Sequence, residues 1–287
     1  MVYKRRDFLK VATTVASGVA LTGVTSQIVG CGASSNLNGT NNKFGLQLYS
    51  VRDVLPKDPQ EVLRQVASFG YKQIESYEGN KGMFWGMKNS EFKSFIGDLG
   101  MEIVASHCGY KENFEQKADE AAAIGMKYLI CPYLGAQKDL DAFKRFAADF
   151  NKAGEICRQR GLKFAYHNHD YSFKKVEGEY PQDVLIMNTD KALVDYEMDM
   201  YWVVAAGQQP LEWFKKYPDR FKLCHVKDRG GKETTTLGKG NIDYPSILKN
   251  AANHGMKYYI VEQEEYEGTT PINAAKDDAE YMKKLKV

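Results

Sequence analysis

The sequence predicts a single-domain α/β protein folded as a (β/α)₈ TIM barrel, and three observations favour this class. Eight short apolar runs alternate with amphipathic segments along the chain. Five of the amphipathic segments end in glycine directly before the next apolar run, at positions 70, 100, 125, 161 and 255. The stretch from Phe44 to Val287 has 244 residues, and about 250 residues are typical of this barrel.

The eight apolar runs are the predicted strands. They are Phe44–Tyr49, Gln73–Tyr77, Glu102–His107, Tyr128–Pro132, Lys163–His169, Leu193–Met200, Lys222–Val226 and Tyr258–Gln263. Between them, stretches such as 58–69 and 141–160 have the periodicity of amphipathic helices. Strict alternation of strand and helix indicates a parallel sheet, and eight units in one domain of this length favour a closed barrel. The first strand is not followed by the glycine pattern Gly-x-Gly-x-x-Gly, which argues against a dinucleotide-binding sheet.

The first thirty residues are predicted to be an export signal. Lys4-Arg5-Arg6 is a basic twin-arginine start, and residues 11–30 are uncharged and rich in Thr, Ser and Gly. A membrane anchor helix is the alternative, but this composition makes a weak membrane span. Residues 31–43 have almost no apolar side chain and are predicted to be a flexible tether before the barrel at 44–287.

Cys31 is a predicted lipid attachment site. The preceding residues Ile28-Val29-Gly30 resemble the small-residue box of a bacterial lipoprotein signal. The alternative is an ordinary signal peptide with an incidental cysteine. Lipidation would make the protein an exported, periplasmic or membrane-anchored lipoprotein that touches the membrane only through its acyl chains.

Charge and cysteine content argue against nucleic-acid binding and against a small disulfide-stapled domain. The chain carries 39 Lys and Arg against 37 Asp and Glu, and residues 31–287 carry 35 against 36. There is no basic excess to attract nucleic acid. Beyond the tether the cysteines show no Cys-x-x-Cys spacing, so we interpret them as small buried residues, and a disulfide after export stays open. They are Cys108, Cys131, Cys157 and Cys224.

Ionisable side chains cluster where the predicted strands end. They are Glu75, His107, His167, His169, Asp170, Asp195, Glu197, Asp199, His225, Lys227, Glu262 and Glu264. The carboxyl ends of barrel strands meet at one mouth, where barrel enzymes carry out their chemistry. Two imidazoles and two carboxylates from four neighbouring strands suit one divalent metal, with Mn, Zn, Co and Mg as candidates. The ligands that we select are His167, Asp199, His225 and Glu262.

Six motifs carry a resemblance to a known family. They are residues 46–52 (LQLYSVR), 166–170 (YHNHD), 197–202 (EMDMYW), 225–228 (HVKD), 237–243 (LGKGNID) and 261–263 (VEQ). Together they resemble the xylose-isomerase-like TIM barrels known as sugar phosphate isomerases/epimerases, in the superfamily that also contains AP endonucleases. The likeness covers nearly all of residues 44–287. It implies one divalent metal held by residues from strands five to eight.

The resemblance also implies which residues bind that metal. Asp199, His225 and Glu262 fit the family's Asp, His and Glu of strands six, seven and eight. Strand five of the family usually supplies a glutamate, and His167 stands in its place, which favours His167 over His169 as the ligand. In epimerases of the family the two ligand carboxylates exchange protons on opposite faces of the substrate, so an imidazole here argues against symmetric epimerisation.

We therefore expect a metal-dependent carbohydrate isomerase or epimerase that abstracts a proton next to a carbonyl through an enediolate. Glu262 and His169 are the candidate bases, and Glu75 is a further acid or base. Orienting a metal ligand is the alternative role of His169, and a salt bridge is the alternative role of Glu75.

Substrate contacts are expected from His107, Trp202, Lys227 and Arg229 near the same strand ends. Aromatic rings suit the C–H face of a sugar, although core packing is the alternative role of Trp202, and a solvated charge cluster is the alternative for the basic residues.

Three other functions stay open from the sequence. The predicted export favours a free sugar, glycoside or keto-glycoside over a phosphorylated sugar, so a 3-keto-glycoside lyase or hydratase at the same site is the main alternative. A phosphodiesterase like endonuclease IV would need more metal ligands and a basic face. A non-catalytic sugar-binding lipoprotein is the last alternative.

Overall fold

The computed structural model describes residues 43–285, and its eight barrel strands are all parallel and close into a ring. The strands in chain order are β1 Gly45–Gln47, β2 Gln73–Tyr77, β3 Glu102–His107, β4 Tyr128–Cys131, β5 Lys163–His167, β6 Val194–Asp199, β7 Phe221–Val226, β8 Asp228–Gly230, β9 Glu233–Thr235 and β10 Tyr258–Val261. Strands β8 and β9 form a separate antiparallel hairpin, and β10 pairs with both β7 and β1 to close the barrel. The predicted (β/α)₈ barrel is confirmed, and every predicted strand overlaps an observed one.

The helices begin and end where the local sequence favours it. They are α1 Pro59–Ser68, α2 Asn89–Asp98, α3 Phe114–Ala123, α4 Leu140–Gln159, α5 Pro181–Met187, α6 Met200–Ala205, α7 Pro210–Lys216, α8 Tyr244–Ala251 and α9 Pro271–Lys284. The Asp58 carboxylate accepts a hydrogen bond from the Glu61 N–H at the start of α1. The five glycines predicted to end helices all have positive φ, from +71° to +103°, which only glycine adopts without strain.

Several strands are shorter than predicted, because polar side chains bend the chain at their ends. The Gln47 side chain accepts the N–H of Tyr49, and the chain turns into a 3₁₀ helix where β1 was expected to continue. The Asp199 carboxylate accepts an N–H from the first turn of α6 and so ends β6. β5 ends at His167, which leaves His169 in the loop beyond the strand.

The β8–β9 hairpin was not predicted from the sequence, which placed Lys227 and Arg229 only near the end of the seventh predicted strand. Its strands have three residues each, which is too short to show a period-2 pattern. The Asp228 carboxylate anchors the hairpin, because it accepts N–H groups from the hairpin and from the following loop at positions 229, 238, 240 and 242. The Glu265 carboxylate accepts the N–H of Thr234 from the other side.

A small apolar cluster fills the barrel towards the amino ends of the strands. It consists of Val104, Ala105, Tyr128, Ile130, Ala165 and Leu223. Ala105, Ala165 and Leu223 each lie two positions before a histidine on the same strand. Because side chains alternate along a strand, those histidines project into the same interior, one layer nearer the mouth.

The four cysteines of the described part are buried and unpaired, as expected of small core residues. Cys31, the predicted signal at 1–30 and the tether up to residue 42 lie outside the described residues. Within residues 43–285 no helix is both long and apolar enough to cross a membrane.

Candidate metal centre and active site

Four side chains from neighbouring strands converge at the mouth of the barrel. His167 ends β5, Asp199 ends β6, His225 lies on β7, and Glu262 follows β10. One nitrogen or oxygen atom from each lies within 4.8 Å of the others. His225 Nδ1 is 3.1 Å from His167 Nε2 and 3.1 Å from a Glu262 oxygen, and all four residues are buried. The structure thus brings together the four residues that the sequence analysis selected as ligands.

This donor set fits a divalent metal. Two imidazole nitrogens that face each other at 3.1 Å can share a single proton, whereas a cation between them would satisfy both. Asp199 Oδ2 is buried without a well-aligned hydrogen bond, although a lysine ammonium lies 2.9 Å away. Burial and the neighbouring His225 lower the pKa of His167 to about 4, so that imidazole is neutral at physiological pH. Burial opposes the charge of His225, but Glu197 and Glu262 outweigh it and raise the pKa of His225 well above its usual value, so a metal bound there would displace a proton. A set of two nitrogens and two oxygens suits Zn, Mn or Co.

A second polar layer lies beneath His225. His225 Nε2 is 2.8 Å from Glu75 Oε1. In the same layer His107 Nε2 is 2.8 Å from Glu197 Oε2 and 3.1 Å from Glu75 Oε1. The Gln47 amide also donates to Glu75. These contacts fix the orientation of His225 and leave its Nδ1 facing the other three ligands, which is how an outer carboxylate supports a metal-binding histidine.

Charge in this layer is shared unequally. Burial opposes ionisation of Glu75, but His107 and His225 outweigh it and hold its pKa well below the usual range. Burial and the nearby Glu75 raise the pKa of Glu197 to about 7. Burial would lower the pKa of His107, yet the two carboxylates raise it to about 9. The layer therefore holds an ionised Glu75, a protonated His107 and a Glu197 carboxyl that titrates near neutrality.

Lys227 brings a positive charge into the candidate metal site. Its side chain is fully buried, and Nζ lies 2.9 Å from Asp199 Oδ2 and 2.8 Å from Glu262 Oε2, with Glu264 in contact as a third carboxylate. Burial opposes the charge, but the three carboxylates raise the pKa of this lysine well above its usual value. The Trp202 ring centre lies 5.2 Å from the same ammonium.

His169 lies just outside the ligand set and within a group of aromatic rings. Its ring centre is 5.0 Å from His167, 5.3 Å from Trp202 and 5.0 Å from Tyr133, and it stacks on Tyr171 at 5.8 Å. Nδ1 is buried without a hydrogen-bond partner. Burial, with the adjacent His167, lowers the pKa of this imidazole to about 3, so it is neutral.

A cavity of about 360 Å³ opens over these groups. The polar side chains that line it near the centre are His107, His167, His169, Glu262 and Glu264. The other predicted site residues do not line this cavity. Glu75, Asp199, His225 and Lys227 are fully buried, whereas Trp202 and Arg229 are half-buried.

Tyrosines in the cavity wall were missed by the sequence analysis. They are Tyr49, Tyr77 and Tyr133. Tyr49 and Tyr133 each follow the last residue of a strand by two positions and are 39% and 61% exposed. An aromatic residue in a loop directly after a barrel strand is the signal that could have found them, because such loops build the active-site mouth.

The fold and the polar strand ends define a TIM-barrel enzyme with its chemistry at the carboxyl ends of the strands. A family model described as the xylose isomerase-like TIM barrel matches residues 63–285, and the chain belongs to this family. The resemblance to this family is thereby confirmed.

Individual relatives share the fold to different degrees. A sugar phosphate isomerase/epimerase from Parabacteroides distasonis ATCC 8503 superposes with a TM-score of 0.74 at 32% identity, over 84% of this chain and 93% of that chain. An inosose dehydratase from Clostridium perfringens (strain 13 / Type A) is 28% identical over 209 residues, which is 66% of this chain and 63% of the relative's length. The IolI protein with a bound zinc atom has a TM-score of 0.67 at 14% identity, which shows the common fold.

Proposed function

We propose that the protein is a metal-dependent enzyme that removes the proton beside the carbonyl of a ring ketone and eliminates an oxygen substituent from the next carbon. The observation that supports this proposal most directly is that two carboxylates and two imidazoles, from different strands, line the same cavity. Carboxylates Glu262 and Glu264 follow β10, whereas imidazoles His167 and His169 come from the end of β5. Elimination needs one proton acceptor and one proton donor, and such an unequal pair supports that reaction.

The metal would be held by His167, Asp199, His225 and Glu262, and it would supply a Lewis acid that favours negative charge on the substrate's carbonyl oxygen. His225 is kept in one orientation by Glu75, which we assign to positioning rather than to proton transfer, because Glu75 is fully buried below the cavity.

His169 is the proton acceptor that we assign. It lines the cavity, its Nδ1 has no partner, and its stacking on Tyr171 holds the ring in place. We assign the proton donor to the pair of Glu264 and the Lys227 ammonium that contacts it, because Glu264 lines the same cavity and the ammonium carries the proton.

The relatives support this chemistry. A dehydratase eliminates water, and an inosose is a ring ketone, so the name inosose dehydratase describes elimination beside a carbonyl. The chain spans 63% of that relative, so the reaction and the substrate are proposals for this protein. Replacing the water by an alcohol as the leaving group turns the same reaction into a keto-glycoside lyase.

Isomerisation or epimerisation is the second candidate, and the 32% identical Parabacteroides distasonis protein favours it. Both reactions begin with the same proton removal. They differ in whether the proton returns to carbon before an oxygen leaves. Epimerisation needs a base on each face of the substrate. Because His167 stands at the end of β5, this site suits epimerisation less well than a site with two carboxylates does.

Product analysis separates the two candidates. The protein, loaded with Mn²⁺, would be incubated with an inosose and with a 3-keto-glucoside, with a chelated sample as control. Elimination gives a carbon–carbon double bond conjugated to the ketone, which absorbs in the ultraviolet, and it releases water or an alcohol. Metal-dependent conversion to an isomeric ketose or aldose without release would replace the elimination proposal with the second candidate. Turnover that is insensitive to the chelator would contradict both.

We further propose that the protein acts outside the cytoplasm, attached to a membrane by a lipid on Cys31. The basis is the twin-arginine start and the small-residue box before Cys31. This location favours substrates that lack a phosphate.

A further inference from the structure

We propose that the substrate consists of two linked sugar rings, and that the second ring lies in an outer cleft next to the catalytic cavity. This inference rests on the proposed function, in which the second ring is the leaving group. The outer cleft is a second cavity of about 420 Å³. The residues that line both cavities are Glu78, Cys108, Gly109, Pro132 and Tyr133. The two spaces therefore adjoin along one wall.

The volumes fit one ring in each space. At ~30 Å³ per water molecule, a sugar ring that displaces six waters needs about 180 Å³. The catalytic cavity, at about 360 Å³, holds one ring together with a metal and its water. A single ring there would leave the whole outer cleft unused, whereas a second ring linked to the first would reach directly into it.

Tyr133 provides a surface for ring stacking between the two spaces. Its side chain is 61% exposed, although edge contacts with His169 and Tyr171 at 5.0 and 5.5 Å hold the ring. Only three large hydrophobic side chains in residues 43–285 are strongly exposed, and two of them, Tyr49 and Tyr133, line the catalytic cavity. Exposed aromatic rings at a cleft mark a binding surface, and an aromatic face suits the C–H face of a sugar.

The outer cleft also has a polar, fixed part of its lining. Lys117 Nζ donates to Glu78 Oε2 at 2.8 Å and to the Gly109 carbonyl at 3.1 Å, and the Gly109 N–H donates to the same carboxylate. Lys111 is exposed in this cleft and forms no ion pair within the described residues. Fixed donors and acceptors in the same cleft as an aromatic ring suit the hydroxyl groups of a sugar better than an apolar ligand.

The reaction balances with this occupant. The carbon between the ketone and the glycosidic carbon loses a proton to His169, and its electron pair forms the new carbon–carbon double bond. The glycosidic C–O bond breaks with its electron pair onto the departing oxygen, which takes up a proton from the Glu264–Lys227 pair, and the second ring leaves as an alcohol. No oxidant or reductant is required, and the products are an unsaturated keto-sugar and a free sugar.

Binding measurements test the outer cleft without requiring turnover. Calorimetry on the full chain loaded with Mn²⁺ would compare methyl glucoside, which has one ring, with cellobiose, which has two. We expect cellobiose to bind about tenfold more tightly, the effect of a stacked and hydrogen-bonded second ring. Tyr133→Ala and Lys111→Ala should each reduce that ratio to about threefold or less. Lys138→Ala, an exposed lysine outside both cavities, is the matched control and should keep the wild-type ratio.

Equal affinity for the two probes, or no binding of either, would overturn the proposal, as would a ratio that both cleft variants leave unchanged. These results are distinguishable from failure of the proposed function. Metal-dependent release of an alcohol from methyl 3-keto-glucoside reports the chemistry at the metal centre alone. Its presence with equal probe affinities would remove the outer cleft and keep the reaction, and its absence would remove the reaction.

Discussion

Replacement of Lys227 by methionine should make the stability of the barrel depend on metal. The Lys227 ammonium is fully buried and lies 2.9 Å from Asp199 Oδ2 and 2.8 Å from Glu262 Oε2, with Glu264 also in contact. Methionine keeps the length and the apolar packing of the side chain. It leaves two buried carboxylates, Asp199 and Glu262, without their counter-charge.

The size of the effect follows from the burial of this group. Removing one partner of a buried ion pair costs about 3–5 kcal/mol. For a domain of this size each kcal/mol lowers the Tm by about 2–4 °C, so the metal-free Lys227→Met protein should melt about 6–20 °C below wild type. A divalent metal bound by Asp199 and Glu262 supplies the missing charge. At a metal concentration of 1,000 times Kd, binding contributes about 4 kcal/mol.

Thermal unfolding followed by circular dichroism, in EDTA and across a Mn²⁺ titration, measures both effects. The variant should recover most of its loss in saturating Mn²⁺, because the ammonium no longer competes for the two carboxylates. Lys138→Met changes an exposed lysine outside the site and should melt like wild type in both conditions. A Lys227→Met protein that melts with wild type in EDTA, or that gains no more from Mn²⁺ than wild type does, would refute the reasoning.

Four further predictions concern separate parts of the molecule. His225→Ala should abolish binding of Mn²⁺ or Zn²⁺, measured by metal analysis after gel filtration, and a full metal content would contradict its assignment as a ligand. His169→Gln should lower kcat by a factor of about 10²–10⁴ with little change in metal content, and an unchanged kcat would exclude it as the base. Burial raises the pKa of Asp278 to about 8, so the folded protein keeps this proton between about pH 4 and pH 8 where the unfolded chain has lost it, and stability falls as the pH rises through that window. Asp278→Asn should therefore gain in Tm relative to wild type between pH 5 and pH 8, and a difference independent of pH would contradict this. Cys31→Ser should move the protein from the membrane fraction to the soluble fraction of the exporting cell, and an unchanged distribution would exclude lipidation there.

The fold was predictable because its signals are local. A glycine such as Gly70 or Gly161 ends a helix through its own left-handed conformation, and the following apolar run needs no distant partner to be identified. The ends of strands were harder to predict. β1 stops because the Gln47 side chain turns the chain towards Tyr49, and that hydrogen bond has no counterpart in a hydrophobic pattern.

The convergence of the metal centre was also predictable, since the strand order of a barrel decides which strand ends are neighbours. His167, Asp199 and His225 lie on β5, β6 and β7, and Glu262 directly follows β10, which is the next strand in the barrel, so their side chains meet at one mouth. Depth within the barrel was not predictable. Glu75 ends up below the cavity as a partner of His225, because its height depends on the stagger of β2 against its neighbours.

Lys227 and Tyr133 show what the sequence leaves open for a single residue. A lysine after β7 looks like an exposed loop charge, and only the folded loops reveal that three carboxylates surround it. The ring of Tyr133 follows a strand without any periodic pattern, and its place between two cavities depends on contacts with His169 and Tyr171. Both positions are consequences of tertiary packing.

Hydrogen–deuterium exchange on carbon tests the central claim most directly. The full chain would be incubated in D₂O with an inosose, once with Mn²⁺ and once with EDTA. Proton NMR would follow the signal of the proton on the carbon beside the carbonyl. The account predicts that this signal is lost with Mn²⁺ at a rate well above that of the chelated sample. In the His169→Gln variant with Mn²⁺, the rate of loss should be lower than in wild type. Exchange at equal rates with Mn²⁺ and EDTA, or no exchange in either, would contradict a metal-dependent proton abstraction at this site.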